Sequence, residues 1–268
     1  SDLIKLGRIH TVDDVFSSIH MAHKAGFSNM NLDLIFGLPW QTLPTWKYNL
    51  ESLLNLGCEH ISLYDLTLEP NTPLTHWVNK GLYKAPDQDL AADMYLYAIE
   101  RLENEGYSQY EISNWAKNEE FESSHNKHYW LNDPYIGFGA GSHSYINHLR
   151  LENHPGIIDY IQKIDQSKSE FLEFPISPAN ISKINCSPYD EMQDTMMLGL
   201  RMVKQGVSNN EFFRRFGASI EDAFHNELPK LLTQGLIEWV VGQNDRFIRL
   251  TRRGTLLGNQ VFMRFVGD

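Results

Sequence analysis

Cysteine is scarce in this sequence: Cys58 and Cys186 are the two in 268 residues. Far apart along the chain, they exclude a disulfide framework and a four-thiolate metal site within one chain, while a single pairing stays open. Basic charge is short as well. With 23 Lys and Arg against 34 Asp and Glu, the formal net charge is −11 and the isoelectric point lies near 5.4. That balance disfavours attraction to phosphate backbones or anionic lipid and argues against a nucleic-acid partner. No apolar run reaches the ~20 residues that span a bilayer, and the first residues lack the basic-then-apolar order of a secretion signal. These absences read as a cytoplasmic protein that is not integral to a membrane. What is present, 42% hydrophobic and 12% aromatic residues, suffices for one large domain or two unequal ones.

The chain opens on a loop and a helix cap with no strand before them, which reads as a piece of a longer protein. Thr11 is placed as an N-cap with Asp14 three residues on, starting a helix that stops at Gly26. A buried strand at 29–36, the turn "GLPWQT", a helix opened by Thr42 and Pro44, and a second strand at "HISLYDL" follow. Helix, strand, helix, strand at this spacing predicts α/β structure with parallel βα units, whose ligands gather at the carboxyl ends of the strands. Asp87 to Glu105 reads as a long amphipathic helix, and 107–116 and 135–146 as strands on either side of "HNKHYW". The glycines of "GFGAGS" lack the helix start and distant acid of a dinucleotide fingerprint, and are expected to serve close strand packing.

From residue 151 the regularity fades, and the three prolines of "FPISPANISKINCSP" suggest a linker ending near 185. Beyond it, helices at 189–204, "NNEFFRRFG" and 220–234, two short strands around "QNDR" and a last helix after Gly254 read as a small winged-helix-like domain or a plain helical cap. The start of "SIEDAFHNELPKLLTQG" is acidic, so it lacks the basic recognition helix of a DNA reader.

Two constellations carry chemistry. "HNKHYW" (125–130) sets two imidazoles beside a Tyr-Trp pair, either packing a polar corner of the core or holding a ligand. Arg8 and Asp33, brought to one end of a parallel sheet, would either pair with each other or grip a zwitterionic ligand by its carboxylate and its amine or hydroxyls.

Six strings, "LGRIHT", "MNLDLIFGLPWQT", "HISLYDLTLEPNTP", "YEISNWA", "HNKHYW" and "YIGFGAGSHSY", occur in this order. Together they resemble the oxygen-independent coproporphyrinogen III oxidase-like group of radical S-adenosylmethionine (SAM) proteins, over essentially the whole chain. The His-Asn-x-x-Tyr-Trp motif is similar to the heme chaperone HemW branch of that group rather than to the true oxidases. The resemblance implies the C-terminal strands of a radical SAM (β/α) barrel in residues 1–150, a linker at 151–185 and a winged-helix-like domain at 186–268. It implies SAM bound to a [4Fe–4S] cluster whose cysteine loop precedes residue 1, so the chain alone is expected to have no radical chemistry.

By the same resemblance, Arg8 matches an arginine that approaches the SAM carboxylate, and Asp33 an acid that contacts its ribose or adenosine part. Thr67 and His143 match other positions of that pocket. His125 is the candidate ligand to heme iron, with Tyr129 and Trp130 packing on the porphyrin, because neutral imidazole is a good axial ligand and aromatic rings stack on the macrocycle. His128 would join His125 if the stretch is helical. The function implied is binding heme and delivering it to acceptor proteins such as respiratory enzymes, with room for transient contact with membrane proteins. The alternative is an oxygen-independent coproporphyrinogen III oxidase of porphyrin biosynthesis.

Overall fold

The structure is a computed structural model that describes residues 2–166 and 172–266. The chain forms two compact units, Ser1–Ser123 and Ser124–Asp268.

In the first unit, Thr11 caps the helix Val12–Lys24 with a full capping box: its hydroxyl accepts from the Asp14 N–H and the Asp14 carboxylate accepts from the Thr11 N–H at 2.7 Å. Strands β1 (Asn31–Phe36) and β2 (His60–Asp65) are parallel, with Asn31 opposite His60 and Phe36 opposite Asp65. Parallel neighbours need a crossover, which the helix Leu43–Leu54 supplies, capped by Thr42 and pre-set by Pro44 in its first turn. Strands β3 (Ser108–Glu111) and β4 (Asn114–Ala116) complete a sheet of order β1-β2-β4-β3. Residues 107–116, expected as one strand, are therefore a hairpin. The Glu111 carboxylate accepts from the Ser113 N–H at 2.9 Å and turns the chain at Ile112–Ser113.

Alternation along β1 and β2 divides this sheet into two faces. Phe36, Ile61, Leu63 and Trp115 lie in the apolar core with Trp46 and Leu50 of the crossover helix. The helix Gln88–Asn104 adds Ala91, Met94, Tyr95, Ala98, Ile99 and Leu102, a stripe at helical spacing. The other face carries Asn31, Asp33, His60 and Ser62.

In the second unit, β5 (His143–Ile146), β6 (Leu149–Asn153) and β7 (Asn180–Asn185) form an antiparallel sheet in that order. The β5–β6 turn sets Asn147 and His148 at φ 52° and 60°, the two successive left-handed residues that suit a tight hairpin. The stretch 151–185, read as a linker, instead contains the end of β6, the helix Ile157–Gln166 and all of β7, with residues 167–171 outside those described. Pro155, Pro175 and Pro178 lie between these elements, while the small polar residues Asn180, Ser182 and Asn185 fall within β7, so composition alone looks like a linker. The strand expected at 135–146 begins only at His143. Before it, Tyr135 pairs with Tyr145 as an isolated bridge.

A second three-stranded sheet, order β8-β10-β9, consists of β8 (Val207–Ser208), β9 (Ile237–Val241) and β10 (Arg246–Leu250). Around it lie the helices Pro188–Gly199, Asn209–Phe216, Ile220–Ala223, Leu228–Thr233, Arg252–Leu256 and Gly258–Phe262. The helix expected over 220–234 is broken in two. Pro229 lacks the N–H that a continuing helix would use, and it starts the second piece instead. Among the described residues no helix is long and apolar enough to cross a membrane.

Candidate functional site

The motif "HNKHYW" forms the helix Ser124–Trp130. Seven residues make too short a helix to persist alone in water, so tertiary contacts must hold it. At its C-terminal end the chain reverses through Asn132, left-handed at φ 53° and buried, whose N–H bonds the Tyr129 carbonyl at 2.9 Å. The Asn132 side-chain amide donates to Thr195 Oγ1 at 3.1 Å, and the Asn132 backbone carbonyl accepts from Arg215 at 3.0 Å. Arg215 also donates to the Tyr145 hydroxyl, which in turn donates to the buried Glu191 carboxylate. Burial, and then the bond to Glu191, push the Tyr145 phenol up, so it stays protonated as that donor.

Four residues apart on this helix, His125 and Tyr129 share a face, their rings 5.0 Å apart and nearly perpendicular. His125 is exposed, and its imidazole makes no hydrogen bond to a described residue. His128 is committed elsewhere: Nε2 lies 2.9 Å from the Pro134 carbonyl and Nδ1 3.5 Å from Asp133. Trp130 is turned about 100° around the helix from Tyr129. The Arg201 guanidinium lies 4.3 Å from its ring centroid. Trp130 also lines a cavity of about 560 Å³ with Thr195, Gly206, Glu211, Arg214 and Arg215. The structure therefore brings His125 and Tyr129 together and sets Trp130 on another side, as an anchor for the helix. His143, also in the second unit, is exposed at the start of β5.

The polar sheet face of the first unit holds Asp33. Arg8 and Asp33 do not pair. Asp33 accepts from the Asn31 amide at 2.7 Å, and the exposed Arg8 guanidinium makes no bond to a described residue. Thr67 is exposed just beyond β2. Beside them runs a chain of bonds that the sequence did not disclose. His60 Nδ1 lies 2.6 Å and Ser62 Oγ 3.1 Å from the Asn31 side-chain Oδ1, while His60 Nε2 lies 2.8 Å from the Tyr110 hydroxyl. The Asn31 oxygen can only accept, which assigns the His60 proton to Nδ1 and makes Tyr110 the donor to Nε2. Sequence offered one signal, the polar residues alternating with apolar ones in "NLDL" and "HISL".

Burial holds the His60 pKa below its ordinary 6.5, opposed in part by the nearby Asp33 and Glu122 carboxylates. The unfolded chain then takes up this proton first as pH drops. The stabilising contribution is complete above 6.5 and is lost as pH falls through the lower folded value. Urea denaturation between pH 8 and pH 5 should show the first unit weakening with acid, and His60→Gln should flatten that dependence. Identical slopes for the two proteins would contradict the assignment.

Cys58 and Cys186 are buried and lie in different units, and burial raises both thiols. Among the described residues no group of three or more His, Cys, Asp or Glu side chains could hold a metal ion. An iron–sulfur cluster, which needs three or four thiolates converging on one site, does not fit a chain with two cysteines far apart.

The HemN C-terminal domain family matches residues 186–257. The chain is 38% identical over 266 residues to the heme chaperone HemW of Bacillus subtilis (strain 168), covering 99% of this chain and 66% of that protein. It is 36% identical over 267 residues to the heme chaperone HemW of Lactococcus lactis subsp. lactis (strain IL1403), again covering 99% and 66%. Thus it spans 66% of the length of these relatives. Among solved structures it is similar in fold to the Escherichia coli coproporphyrinogen III oxidase HemN, a radical SAM enzyme, with a TM-score of 0.73 at 19% identity, over 98% of this chain and 60% of that one.

Proposed function

This chain belongs to the HemW/HemN-like family, and from that premise we propose that it is the part of a heme chaperone that binds heme and passes it to acceptor proteins. The observation that carries this reading is the His125 imidazole, exposed, hydrogen-bonded to no described residue and set against Tyr129 on a helix held from its other end. A neutral imidazole nitrogen facing solvent is what an axial heme ligand requires. Tyr129 would cover part of the porphyrin, and Trp130 would contribute by fixing the helix.

In the same proposal, the parallel β1–β2 pair and its crossover helix are the last strands of a radical SAM barrel, and the β8-β10-β9 sheet with its helices is a winged-helix-like domain. SAM would be held on the polar sheet face. Arg8 would take its carboxylate, Asp33 its hydroxyls, and the chain at Thr67 would lie near its adenine. Arg8, bonded to no described residue, and the exposed Asp33 fit that ligand's charges. SAM would supply its reactive sulfonium there. Cytoplasmic action on heme-accepting proteins, among them membrane-bound ones, is part of the proposal.

Titrating this chain with hemin and following the Soret band tests the reading. The expected result is saturable binding near one heme per chain, weakened at least about tenfold by His125→Ala, as for loss of an interaction of about 1.4 kcal/mol. Binding that His125→Ala leaves unchanged would remove the ligand assignment. Turnover of coproporphyrinogen III by the reconstituted full-length protein would favour the oxidase instead.

A further inference from the structure

We infer that Tyr135, together with Tyr129, is a positioning residue that sets the orientation of the His125 imidazole for a planar metalloporphyrin; the inference rests on the heme-binding reading above. Tyr135 lies outside the "HNKHYW" motif. Its ring centroid is 4.7 Å from that of Tyr129 at 69°, and the Tyr129 centroid is 5.0 Å from that of His125 at 79°. Three rings thus form a ladder of edge-to-face contacts, the arrangement aromatic quadrupoles prefer.

The ladder is anchored at its far end. Tyr135 exchanges both backbone hydrogen bonds with Tyr145, at 2.7 and 2.9 Å, so an isolated bridge holds it to β5 although no strand runs through it. Tyr145 is itself locked by its bonds to Glu191 and Arg215. By contrast, the described anchors at Trp130 and Asn132 act on the end of the helix away from His125. The ring contact that reaches the imidazole comes through Tyr129, and Tyr135 backs Tyr129. Burial raises the Tyr135 phenol, consistent with a ring packed inward rather than left in water. An imidazole held by ring edges alone keeps its nitrogens available, whereas one held by a hydrogen bond would give up a nitrogen, as His128 does.

The test is hemin binding by this chain and its variants, read as affinity and as the position and width of the Soret band, which reports the iron's ligand set. Tyr135→Leu and, independently, Tyr129→Leu are expected to weaken binding about three- to tenfold and to broaden or shift the band. Tyr135→Phe, which keeps the ring, should stay within about twofold of the parent. In the double variant His125→Ala/Tyr135→Leu the two losses should not add, because the second acts through the first. Tyr129→Leu leaves the Tyr135 bridge untouched, so it reads the ladder even where Tyr135→Leu folds poorly. If His125→Ala weakens binding while both leucine variants bind and absorb like the parent, the ladder is overturned and heme binding stands. Equal losses in Tyr135→Leu and Tyr135→Phe would assign the effect to the phenol oxygen and also overturn it. If His125→Ala has no effect, the heme-ligand reading fails and the ladder with it.

Discussion

Gly137→Ala is expected to destabilise the second unit by about 3 kcal/mol, at the upper end for overpacking, and to weaken heme binding with it. An ideal Cβ at Gly137 would stand 2.1 Å from the His143 carbonyl oxygen and 2.9 Å from Ser142 Cβ. Neither obstacle is a flexible side-chain tip, so the backbone must separate. The Gly137 N–H donates to Ser144 Oγ at 3.0 Å, and the nearby Gly139 carbonyl accepts from the Asn153 amide at 3.1 Å, so separation also breaks or stretches bonds that hold this loop to β5 and β6. Tyr135 is two residues upstream, and its bridge to Tyr145 would shift with the loop. Gly139→Ala is the control. Its left-handed φ of 96° makes alanine costly in the backbone, but no atom lies within 4 Å of the added Cβ, so the loss should be about 1–2 kcal/mol without displacement of the loop. Thermal denaturation and hemin titration of both proteins check this. A Gly137→Ala protein no less stable than Gly139→Ala would contradict the close approach.

Trp46→Ala should cost the first unit about 3–5 kcal/mol, the range for emptying a large aromatic from a packed core. Trp46 is completely buried, its ring centroid 5.5 Å from that of Phe36, and its indole N–H donates to the Met94 carbonyl at 2.9 Å. It therefore joins the crossover helix to β1 and to the Gln88–Asn104 helix at once. Since a domain's whole stability is about 5–15 kcal/mol, the loss approaches unfolding of this unit. Hydrogen exchange separates this from a general effect. Amides of residues 31–65 should lose protection while those of 207–250 keep theirs, and protection retained at 31–65 would refute the keystone role. Trp46→Phe, which keeps most of the ring volume, should cost well under half as much.

Much of the architecture was legible without coordinates because its signals act within a turn or two of chain. Thr11 with Asp14, Thr42 with Pro44, and Asp87 ahead of a helical stripe mark their helices through bonds and dihedral limits that close over three or four residues. The parallel β1–β2 pair followed from two apolar runs separated by such a helix. The helix Ile157–Gln166 escapes the sequence reading even though isoleucines 157, 158, 161 and 164 recur at helical spacing, because Pro155 and Gly156 just before it read as loop and a proline-containing stretch follows. "HNKHYW" is recognisable as a motif while its conformation stays open in the sequence, since a seven-residue helix has too little internal stability for its own sequence to announce it.

By itself the sequence determined the family strings, the acidic charge, the lack of cluster thiolates and the existence of most helices and strands, all properties of composition or of near neighbours. Tertiary structure alone decided that Asn31 meets His60, that Arg8 and Asp33 stay apart, and that Trp130 anchors its helix while His125 faces water. It alone set Tyr135 behind Tyr129. Each of these depends on strand register or on packing between segments distant in the chain, where a shift of one residue turns a side chain to the opposite face and leaves local preferences unchanged.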